Sequence, residues 1–515
     1  MSTSRRTFLT GAAPLAASVA SPAESKPNLL YVFADQLGYH HCGYAGDEYA
    51  RTPNIDNLAS EGCNFRQAIS NTPVCAPYRA SLMTGKHQSS TGMVINELRL
   101  SPEHQTFGHA LKRGGYRTAY VGKWHLWANQ LGGHELTRNG FVPPGPYRLG
   151  FDDVWAGYNF NHTYYGGPYF RDTTNREIWK GYEPDDQTTF TTNFIRDCAK
   201  RSEPFAAFLS WGPPHSPWTW NNVAPEYADL YRRATLPLRS NFSTQSDPYA
   251  DDWAKLPKDY AKTVADDMRI YYAQTANIDW NLGRLMRTLA ETGLADNTIL
   301  VFTSDHGEMF GSHGRQAKYI FYEEAARVPF LVRWPAKIPK KTVAETLLGT
   351  PDIMPTLLAM MGLDSPPTVE GSDLSTHALG KGMSEPEFAF MQGMGTTAAW
   401  QDGTEWRALR DHQFTYATYK RDGSELLFDN TKDPYQMRNL AAEKSDGATL
   451  RHFRQLAAKW RKEHNDSFES CTWYRDRWTK DRNITSTATG TKQDLARLDK
   501  MVRQYYPEGI PAPTR

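Results

Sequence analysis

Four apolar segments of the chain each lead into a group of polar residues, and this pattern limits the possible folds more than any other feature. A continuous apolar run of about four to eight residues is typical of a strand that is buried on both faces of a sheet. The apolar segments are residues 28–34, 116–121, 204–211 and 297–303. The polar residues that follow them include Asp35, Lys123, His125, His215, Asp305 and His306.

The order of strands and helices predicts an α/β fold. Helical patterns cover residues 52–62 and 263–293, and a fifth strand is predicted at residues 328–334. Strands that alternate with helices form parallel sheets whose faces the helices cover. We therefore predict a large, mixed and mostly parallel sheet that is flanked by helices. Ligands of such sheets bind beyond the carboxyl ends of the strands, so the polar residues are expected to meet at one edge.

The pattern changes near residue 380, where short strands separated by turns replace the alternation. A chain of 515 residues is too long for one hydrophobic core. We predict a large α/β domain over residues 24–383, and a smaller subdomain with an antiparallel sheet, a helix and a tail over 384–515. The aromatic-rich and Gly-rich segment 152–185 indicates a long loop. The C-terminal elements are predicted strands at 388–392, 406–410, 413–419 and 425–429 and a helix at 443–463.

The first 23 residues are similar to a twin-arginine export signal. Arg5 and Arg6 precede a weakly apolar stretch over residues 11–20, and small residues near Ala20 or Ala23 offer a cleavage site. The stretch is too short to span a bilayer, and no other segment is long and apolar enough to do so. This signal predicts a periplasmic or secreted protein that is exported in folded form. A disordered tail with a chance arginine pair is the alternative.

Charge and cysteine content exclude several classes of protein. The 58 Lys and Arg residues nearly balance the 57 Asp and Glu residues, which leaves a formal charge of +1. This balance provides no basic field for nucleic acid and no polybasic segment for a membrane surface. The odd number and wide spacing of the cysteines argue against a disulfide framework and a zinc site. They are Cys42, Cys63, Cys75, Cys198 and Cys471.

Cys75 begins a short pattern that has a chemical use. Pro77 suits the first turn of a helix, and Gly85 is a plausible end of that helix. Cys75 is therefore predicted at or just before a helix N-terminus, with Arg79 one turn further along. A helix N-terminus and a nearby cation favour the thiolate, so we expect a lowered pKa for this thiol.

The run from Cys75 to Gly85 matches the signature C-x-P-x-R-x-x-L-x-T-G. The chain thus resembles the formylglycine-dependent sulfatases of the alkaline phosphatase superfamily. The resemblance implies that a separate formylglycine-generating, or sulfatase-maturating, enzyme oxidises Cys75 to formylglycine. It also implies that the hydrated aldehyde attacks the sulfur of a sulfate ester. Tyr78 stands where most relatives carry Ser, whereas the Cys, Pro and Arg of the signature are intact.

The resemblance also implies a metal site. One divalent cation, Ca²⁺ in the first place and Mg²⁺ or Mn²⁺ as alternatives, would bind mainly oxygen ligands. Asp35, Asp305 and His306 match family ligand positions, and the oxidised Cys75 is a further ligand. Gln36 stands where many sulfatases have a second Asp, and its amide oxygen can also ligate a cation.

Five residues around the sulfate follow from the same resemblance. Arg79 matches the residue that holds the formylglycine, and Lys123 and Lys318 match the sulfate-binding lysines. His215 is expected to protonate the leaving oxygen, while His125 contacts the formylglycine and assists release of sulfate. Histidine has a suitable pKa for both tasks, and the sequence allows the two roles to be exchanged.

Two other functions remain open at this stage. The triplet Ala34-Asp35-Gln36 is also similar to phosphodiester and phosphonate monoester hydrolases, and to choline sulfatases, of the same superfamily. Alternatively, the chain could bind sugar sulfates with Cys75 left unoxidised. As a hydrolase, it would act on a sulfated carbohydrate. The opening of the site that binds this carbohydrate is expected near Trp218, Tyr158 and His162.

Overall fold

A computed structural model of the chain describes residues 26–382, 384–395, 402–443, 447–480, 482–484, 500 and 504–505. The predicted export signal, residues 1–23, lies outside this described part. Within it, no helix combines the length and the apolar character that crossing a bilayer requires.

The strands and helices are numbered in chain order. The strands are β1 (Asn28–Ala34), β2 (Cys63–Ile69), β3 (Arg117–Lys123), β4 (Val154–Tyr158), β5 (Pro168–Tyr169), β6 (Glu177–Ile178), β7 (Phe205–Ser210), β8 (Thr298–Ser304), β9 (Phe330–Arg333), β10 (Thr342–Gly349), β11 (Ala389–Gly393), β12 (Trp406–Arg410), β13 (Phe414–Tyr419), β14 (Glu425–Asp429), β15 (Thr479–Lys480) and β16 (Asn483–Ile484). The α-helices are α1 (Pro53–Glu61), α2 (Cys75–Thr84), α3 (Gln88–Thr91), α4 (Phe107–Arg113), α5 (Thr137–Gly140), α6 (Glu183–Arg201), α7 (Pro225–Tyr231), α8 (Tyr260–Glu291), α9 (Glu323–Ala326), α10 (Thr350–Met360), α11 (Ser375–Ala378), α12 (Gly447–Glu463) and α13 (Cys471–Trp478).

Eight strands form the central sheet, in the order β10-β2-β9-β8-β1-β7-β3-β4. Strand β1 lies between β8 and β7 and is parallel to both. Only β9 runs against its two neighbours in this sheet. The predicted fold class, a mixed and mostly parallel sheet flanked by helices, is confirmed.

Helices cover both faces of the sheet because its central strands are apolar on both sides. In β1, Tyr31 and Phe33 point into a core that also contains residues of α2 and α10. Leu30 and Val32 point the opposite way, into a core with residues of α1 and α8. This alternation follows from the two-residue period of a strand. It leaves the end of the strand, where Asp35 follows, as the place for polar chemistry.

The segment 152–185 is not the long loop that we predicted. Its first part is strand β4, which extends the central sheet by pairing with β3 in parallel. A short antiparallel hairpin of β5 and β6 follows, and α6 begins at Glu183. Strand β4 has only five residues and contains Gly157, and a glycine inside a short strand weakens the strand signal.

The four C-terminal strands form an antiparallel sheet in the order β11-β12-β13-β14, as predicted. Helix α12 packs on this sheet through Leu450, Phe453 and Trp460, which share a core with Leu409 and Leu427. The exact division of the chain at residues 383 and 384 stays a prediction.

Candidate active site

The polar residues that follow the central strands meet at one edge of the sheet. Asp35 follows β1, Lys123 ends β3 and Asp305 follows β8. Cys75 is the first residue of α2, which confirms its predicted place at a helix N-terminus. All four side chains are buried, and His306 beside Asp305 is buried with them.

Arg79 forms ion pairs and hydrogen bonds with groups at the ends of several of these strands. One guanidinium nitrogen, Nη2, lies 3.3 Å from Asp35 Oδ2 and 3.1 Å from Asp305 Oδ2. The other, Nη1, donates to Ser210 Oγ at 2.7 Å and to the carbonyl oxygen of Lys123 at 2.5 Å. A planar guanidinium can serve several acceptors at once. Arg79 therefore fixes the positions of both carboxylates, one turn along the helix that begins at Cys75.

The carboxylate of Asp35 is paired with a buried ammonium group. Lys123 Nζ lies 2.5 Å from Asp35 Oδ2, and neither side chain is exposed to solvent. Burial alone raises the pKa of Asp35, but the charges of Lys123 and Arg79 hold it well below its usual range. The pKa of Lys123 is raised despite its burial, because Asp35 favours the ammonium form. Both groups therefore stay ionised.

Four side chains form a group that fits a metal ion. Donor atoms of Asp35, Cys75, Asp305 and His306 all lie within 4.8 Å of one another. The thiol sulfur is 3.2 Å from His306 Nε2 and 3.6 Å from Asp35 Oδ1. His306 Nδ1 donates to the carbonyl of Gly307, so Nε2 can offer its lone pair to this group. Burial lowers the pKa of His306 to about 4, which keeps the ring neutral as a ligand must be.

The side-chain amide of Gln36 is hydrogen-bonded to two other side chains. Its Oε1 accepts from Lys318 Nζ at 2.7 Å, and its Nε2 donates to Glu308 at 2.6 Å. Its backbone adopts a left-handed conformation, with φ of 73°. Gln36 thus lies beside the group of four and connects it to Lys318.

Lys318 also determines which nitrogen of His215 carries the proton. Lys318 Nζ donates to His215 Nε2 at 2.7 Å, and His215 Nδ1 donates to the carbonyl of Ser216, also at 2.7 Å. An ammonium group has no lone pair, so Nε2 is the acceptor and the ring is neutral. Burial and the nearby charge of Lys318 lower the pKa of His215 well below its usual value. The ring of His162 stacks on that of His215 at 4.0 Å between centroids.

His125 follows Lys123 and Trp124 in a left-handed backbone conformation, with φ of 59°. The side chain is buried, and neither ring nitrogen has a hydrogen-bond partner among the residues that the structure describes. Its ring packs edge-on against Phe160. A buried imidazole without partners is costly, which indicates a place for a polar ligand at this position.

Cys75, Lys123, His125 and His215 line a cavity of about 340 Å³, which has the size of ordinary small-molecule sites. We call it the nucleophile cavity, after the predicted role of Cys75. Of the three residues expected near the entrance, His162 lines this cavity. Tyr158, in contrast, is buried in β4 and donates to Glu183 Oε1 at 2.7 Å. Trp218 lines a neighbouring cavity instead. The nucleophile cavity is lined by Cys75, Asn96, Glu97, Lys123, His125, His134, Phe160, Asn161, His162, His215 and Trp253.

The expected lowering of the Cys75 pKa is wrong for the unmodified thiol. Burial, followed by the nearby charge of Asp35, raises the pKa of Cys75 to about 11. Lys123 and Lys318 act in the opposite direction but do not outweigh these effects. Helix position alone therefore does not activate this thiol.

Comparisons with known proteins identify the family. A family model described as Sulfatase matches residues 27–363, which is more than half of the chain. The chain belongs to the sulfatase family. A second model, for the C-terminal part of N-sulphoglucosamine sulphohydrolase, matches residues 311–463. As a sulfatase, the protein is a sulfuric ester hydrolase, and sulfatases generally use a metal ion and a formylglycine.

Individual sulfatases match over most of their length. The ulvan-active sulfatase of Formosa agariphila is 36% identical over 459 residues, covering 87% of this chain and 84% of the relative. The endo-4-O-sulfatase of Bacteroides thetaiotaomicron is 28% identical and covers 90% and 96%. A solved structure from a study of how B. thetaiotaomicron metabolises multiple glycosaminoglycans superposes with a TM-score of 0.75 at 26% identity, covering 89% and 99%. The family and fold are thus supported along nearly the whole chain.

Three contacts of this sulfatase site were not anticipated from the sequence. Glu308 holds the amide of Gln36, Ser210 holds Arg79, and Asn96 Oδ1 accepts from the backbone N–H of Ala76 beside the nucleophile. Glu308 and Ser210 carry a positional signal, since each lies at or just after the end of a predicted strand. Asn96 lies in a segment without a recognisable pattern.

Replacing Glu183 with glutamine should change how the stability of this sulfatase depends on pH. Burial raises the pKa of Glu183 from 4.5 to about 8, while Tyr158 and Asn161 hydrogen-bond to its oxygens. Between about pH 4.5 and 8, the folded protein thus keeps a proton that the unfolded chain has already released. The free energy of unfolding therefore falls as the pH rises through this window. Wild type should lose up to about 1.4 kcal/mol per pH unit relative to Glu183→Gln. Urea unfolding at several pH values measures this difference, and equal slopes for both proteins would contradict the raised pKa.

Proposed function

We propose that this sulfatase removes sulfate from a sulfated carbohydrate, using a formylglycine made from Cys75 and a bound divalent cation. One observation carries the proposal. The donor atoms of Asp35, Cys75, Asp305 and His306 lie within 4.8 Å of one another beside a cavity lined by Lys123 and His215. A nucleophile, cation ligands, positive charge and proton-carrying groups thus surround the same space, as sulfate ester cleavage requires.

The donor set suits a hard cation such as Ca²⁺. Asp35 and Asp305 offer carboxylate oxygens, and His306 offers a neutral nitrogen. Oxidation of Cys75 replaces its soft sulfur with oxygen, which improves the fit to Ca²⁺, Mg²⁺ or Mn²⁺. The amide oxygen of Gln36 is a further ligand if it leaves Lys318. When bound, the cation polarises the sulfate oxygens, and the hydrated aldehyde at position 75 supplies the attacking hydroxyl.

Three basic side chains bind and orient the reacting groups. Arg79 holds both metal-binding carboxylates and lies on the helix that presents residue 75. Lys123 and Lys318 bring positive charge to the position of the sulfate. Because Asp35 raises the pKa of Lys123, this ammonium group remains charged at all physiological pH values. In a buried site such fixed charges stabilise an anion far more strongly than in water.

Two histidines handle protons. His215 is held through Nδ1 by the carbonyl of Ser216, and its Nε2 shares a proton of Lys318 Nζ. This pair can pass a proton to the leaving oxygen of the ester. His125 has two ring nitrogens without partners among the described residues, and we assign it to contact residue 75 and assist release of sulfate.

The carbohydrate substrate is supported by the relatives. The 36% identical protein is an ulvan-active sulfatase, and a 25% identical relative from B. thetaiotaomicron is an N-acetylglucosamine-6-O-sulfatase. Polar and aromatic side chains such as Glu97, His134 and Phe160 line the nucleophile cavity. Such a lining suits a sugar ring, which carries hydroxyl groups at its edge and apolar C–H groups on its faces.

We further propose how the protein matures. Residues 1–23 direct export to the periplasm or medium, residues 24–383 form the catalytic domain, and residues 384–515 form the C-terminal subdomain. A sulfatase-maturating enzyme acts on Cys75 before export. Mass spectrometry of the peptide that contains Cys75, from a host with such an enzyme, should detect an aldehyde in place of the thiol. An unmodified thiol in an active preparation would contradict formylglycine catalysis.

A substrate panel tests the activity itself. The mature enzyme should hydrolyse 4-nitrophenyl sulfate and ulvan oligosaccharides faster than phosphate diesters or phosphonate monoesters. Treatment with EDTA should abolish turnover, and added Ca²⁺ should restore it, because the cation neutralises charge on the sulfate oxygens. Faster cleavage of phosphorus esters would overturn the sulfatase proposal for this site, and full activity in EDTA would exclude the metal.

A further inference from the structure

Trp253 occupies an unusual position between two cavities. It lines the nucleophile cavity and also a second cavity of about 480 Å³, which Lys318 and Gln36 border from the side of the sulfate site. Its side chain is 44% exposed, although it is large and apolar. The ring centroid lies 5.9 Å from Lys318 Nζ. An exposed indole beside a catalytic lysine is a ready surface for a ligand.

The backbone holds Trp253 firmly in this place. Its N–H donates to Asp251 Oδ1 at 3.0 Å, and its carbonyl accepts from Gln316 Nε2 at 3.1 Å. The N–H of Gln316 in turn donates to the carbonyl of Ala254 at 2.9 Å. Gln316 is two residues from Lys318, so the indole and the lysine are carried by segments that are bonded to each other. The backbone that carries the indole is therefore held in place relative to Lys318.

The second cavity has the chemistry of a sugar site. Its lining includes a second indole, Trp218, and several groups that accept hydrogen bonds, among them Asp252, Asp267 and Gln316. Carboxylates and amides bind hydroxyl groups, while indole faces cover the apolar C–H faces of a sugar ring. A cavity that adjoins the sulfate site and combines these groups can hold the sugar next to the sulfated one.

We propose that Trp253 is the stacking platform for the neighbouring sugar of an oligosaccharide substrate, and that the second cavity binds this sugar. The inference rests on the proposed function and names a specificity residue for it. Trp253 then favours oligosaccharide substrates over small sulfate esters. Because the platform contributes to binding and not to bond cleavage, its loss should raise KM more than it lowers kcat.

The test compares Trp253→Ala and Trp253→Phe with a matched control, Trp280→Ala. Trp280 is 42% exposed on α8 and lies over Arg284, and it lines neither cavity. Trp253→Ala should lower kcat/KM for ulvan oligosaccharides about tenfold. Turnover of 4-nitrophenyl sulfate, which has no neighbouring sugar, should fall by a clearly smaller factor. Trp253→Phe should retain much of the oligosaccharide activity, and Trp280→Ala all of it.

Each outcome decides the inference. Equal losses on both substrates, or none on either, would overturn the role of Trp253 as a sugar platform. A loss that appears mainly in kcat would also overturn it, because it would place the indole at the chemical step. If wild type cleaves 4-nitrophenyl sulfate but no oligosaccharide in a panel of sulfated glycans that includes ulvan, the carbohydrate proposal fails first and this inference fails with it.

Discussion

Cys75→Ala is expected to reduce kcat/KM for 4-nitrophenyl sulfate by a factor on the order of 10⁴ or more. The substitution removes the thiol group, without which the Cβ atom of residue 75 cannot be oxidised to the aldehyde. Lys123, His215 and the carboxylates remain in place, so binding and charge stabilisation account for any residual rate. Steady-state kinetics on protein matured in the same host measures the effect.

The fold should survive this change. The thiol makes only weak contacts, at 3.2 Å to His306 and 3.6 Å to Asp35, so little stability depends on it. Cys198→Ala is the matched control, because Cys198 is also buried but lies in α6, away from the nucleophile cavity. Cys198→Ala should keep full activity in the folded fraction. Undiminished turnover by a folded Cys75→Ala variant would end the proposed mechanism.

Asp35→Asn is expected to abolish metal-dependent turnover, with a loss on the order of 10³-fold. It replaces the carboxylate in the metal group with a neutral amide. Lys123 and Arg79 thereby lose one of the negative charges that they pair with. Breaking a buried ion pair by removing one partner costs about 3–5 kcal/mol, so the free energy of unfolding should fall as well. Kinetics with added Ca²⁺ and urea unfolding measure the two effects separately.

Asp247→Asn separates loss of stability from loss of function. Asp247 pairs at 2.8 Å with the buried Arg315, and neither residue lines the nucleophile cavity. This control should lose stability yet retain kcat and its response to Ca²⁺ in the folded fraction. If Asp35→Asn behaves in the same way, Asp35 is a structural residue and not a metal ligand.

Much of the fold was predictable because its central strands are buried on both faces. Strands β1, β7 and β8 are mostly apolar runs, and these three strands and the more mixed β3 were each predicted within about two residues. Strand β2 was not predicted, because its sequence CNFRQAI mixes polar and apolar residues. Its place in the sheet depends on pairing with β10 and β9, which lie far away in the sequence.

The functional groups that the site contains can be read from the local sequence. The pattern from Cys75 to Arg79 and the polar ends of β1, β3 and β8 select the groups at the sheet edge, because parallel strands bring their carboxyl ends together. Only the tertiary structure decided how these groups behave. The raised pKa of Cys75 and the bond between Gln36 and Lys318 depend on burial and on charges from distant segments. The position of Trp253 between two cavities depends on distant segments as well. Long-range packing determines how far each side chain is removed from water and how close charged groups lie to one another, and the local sequence does not.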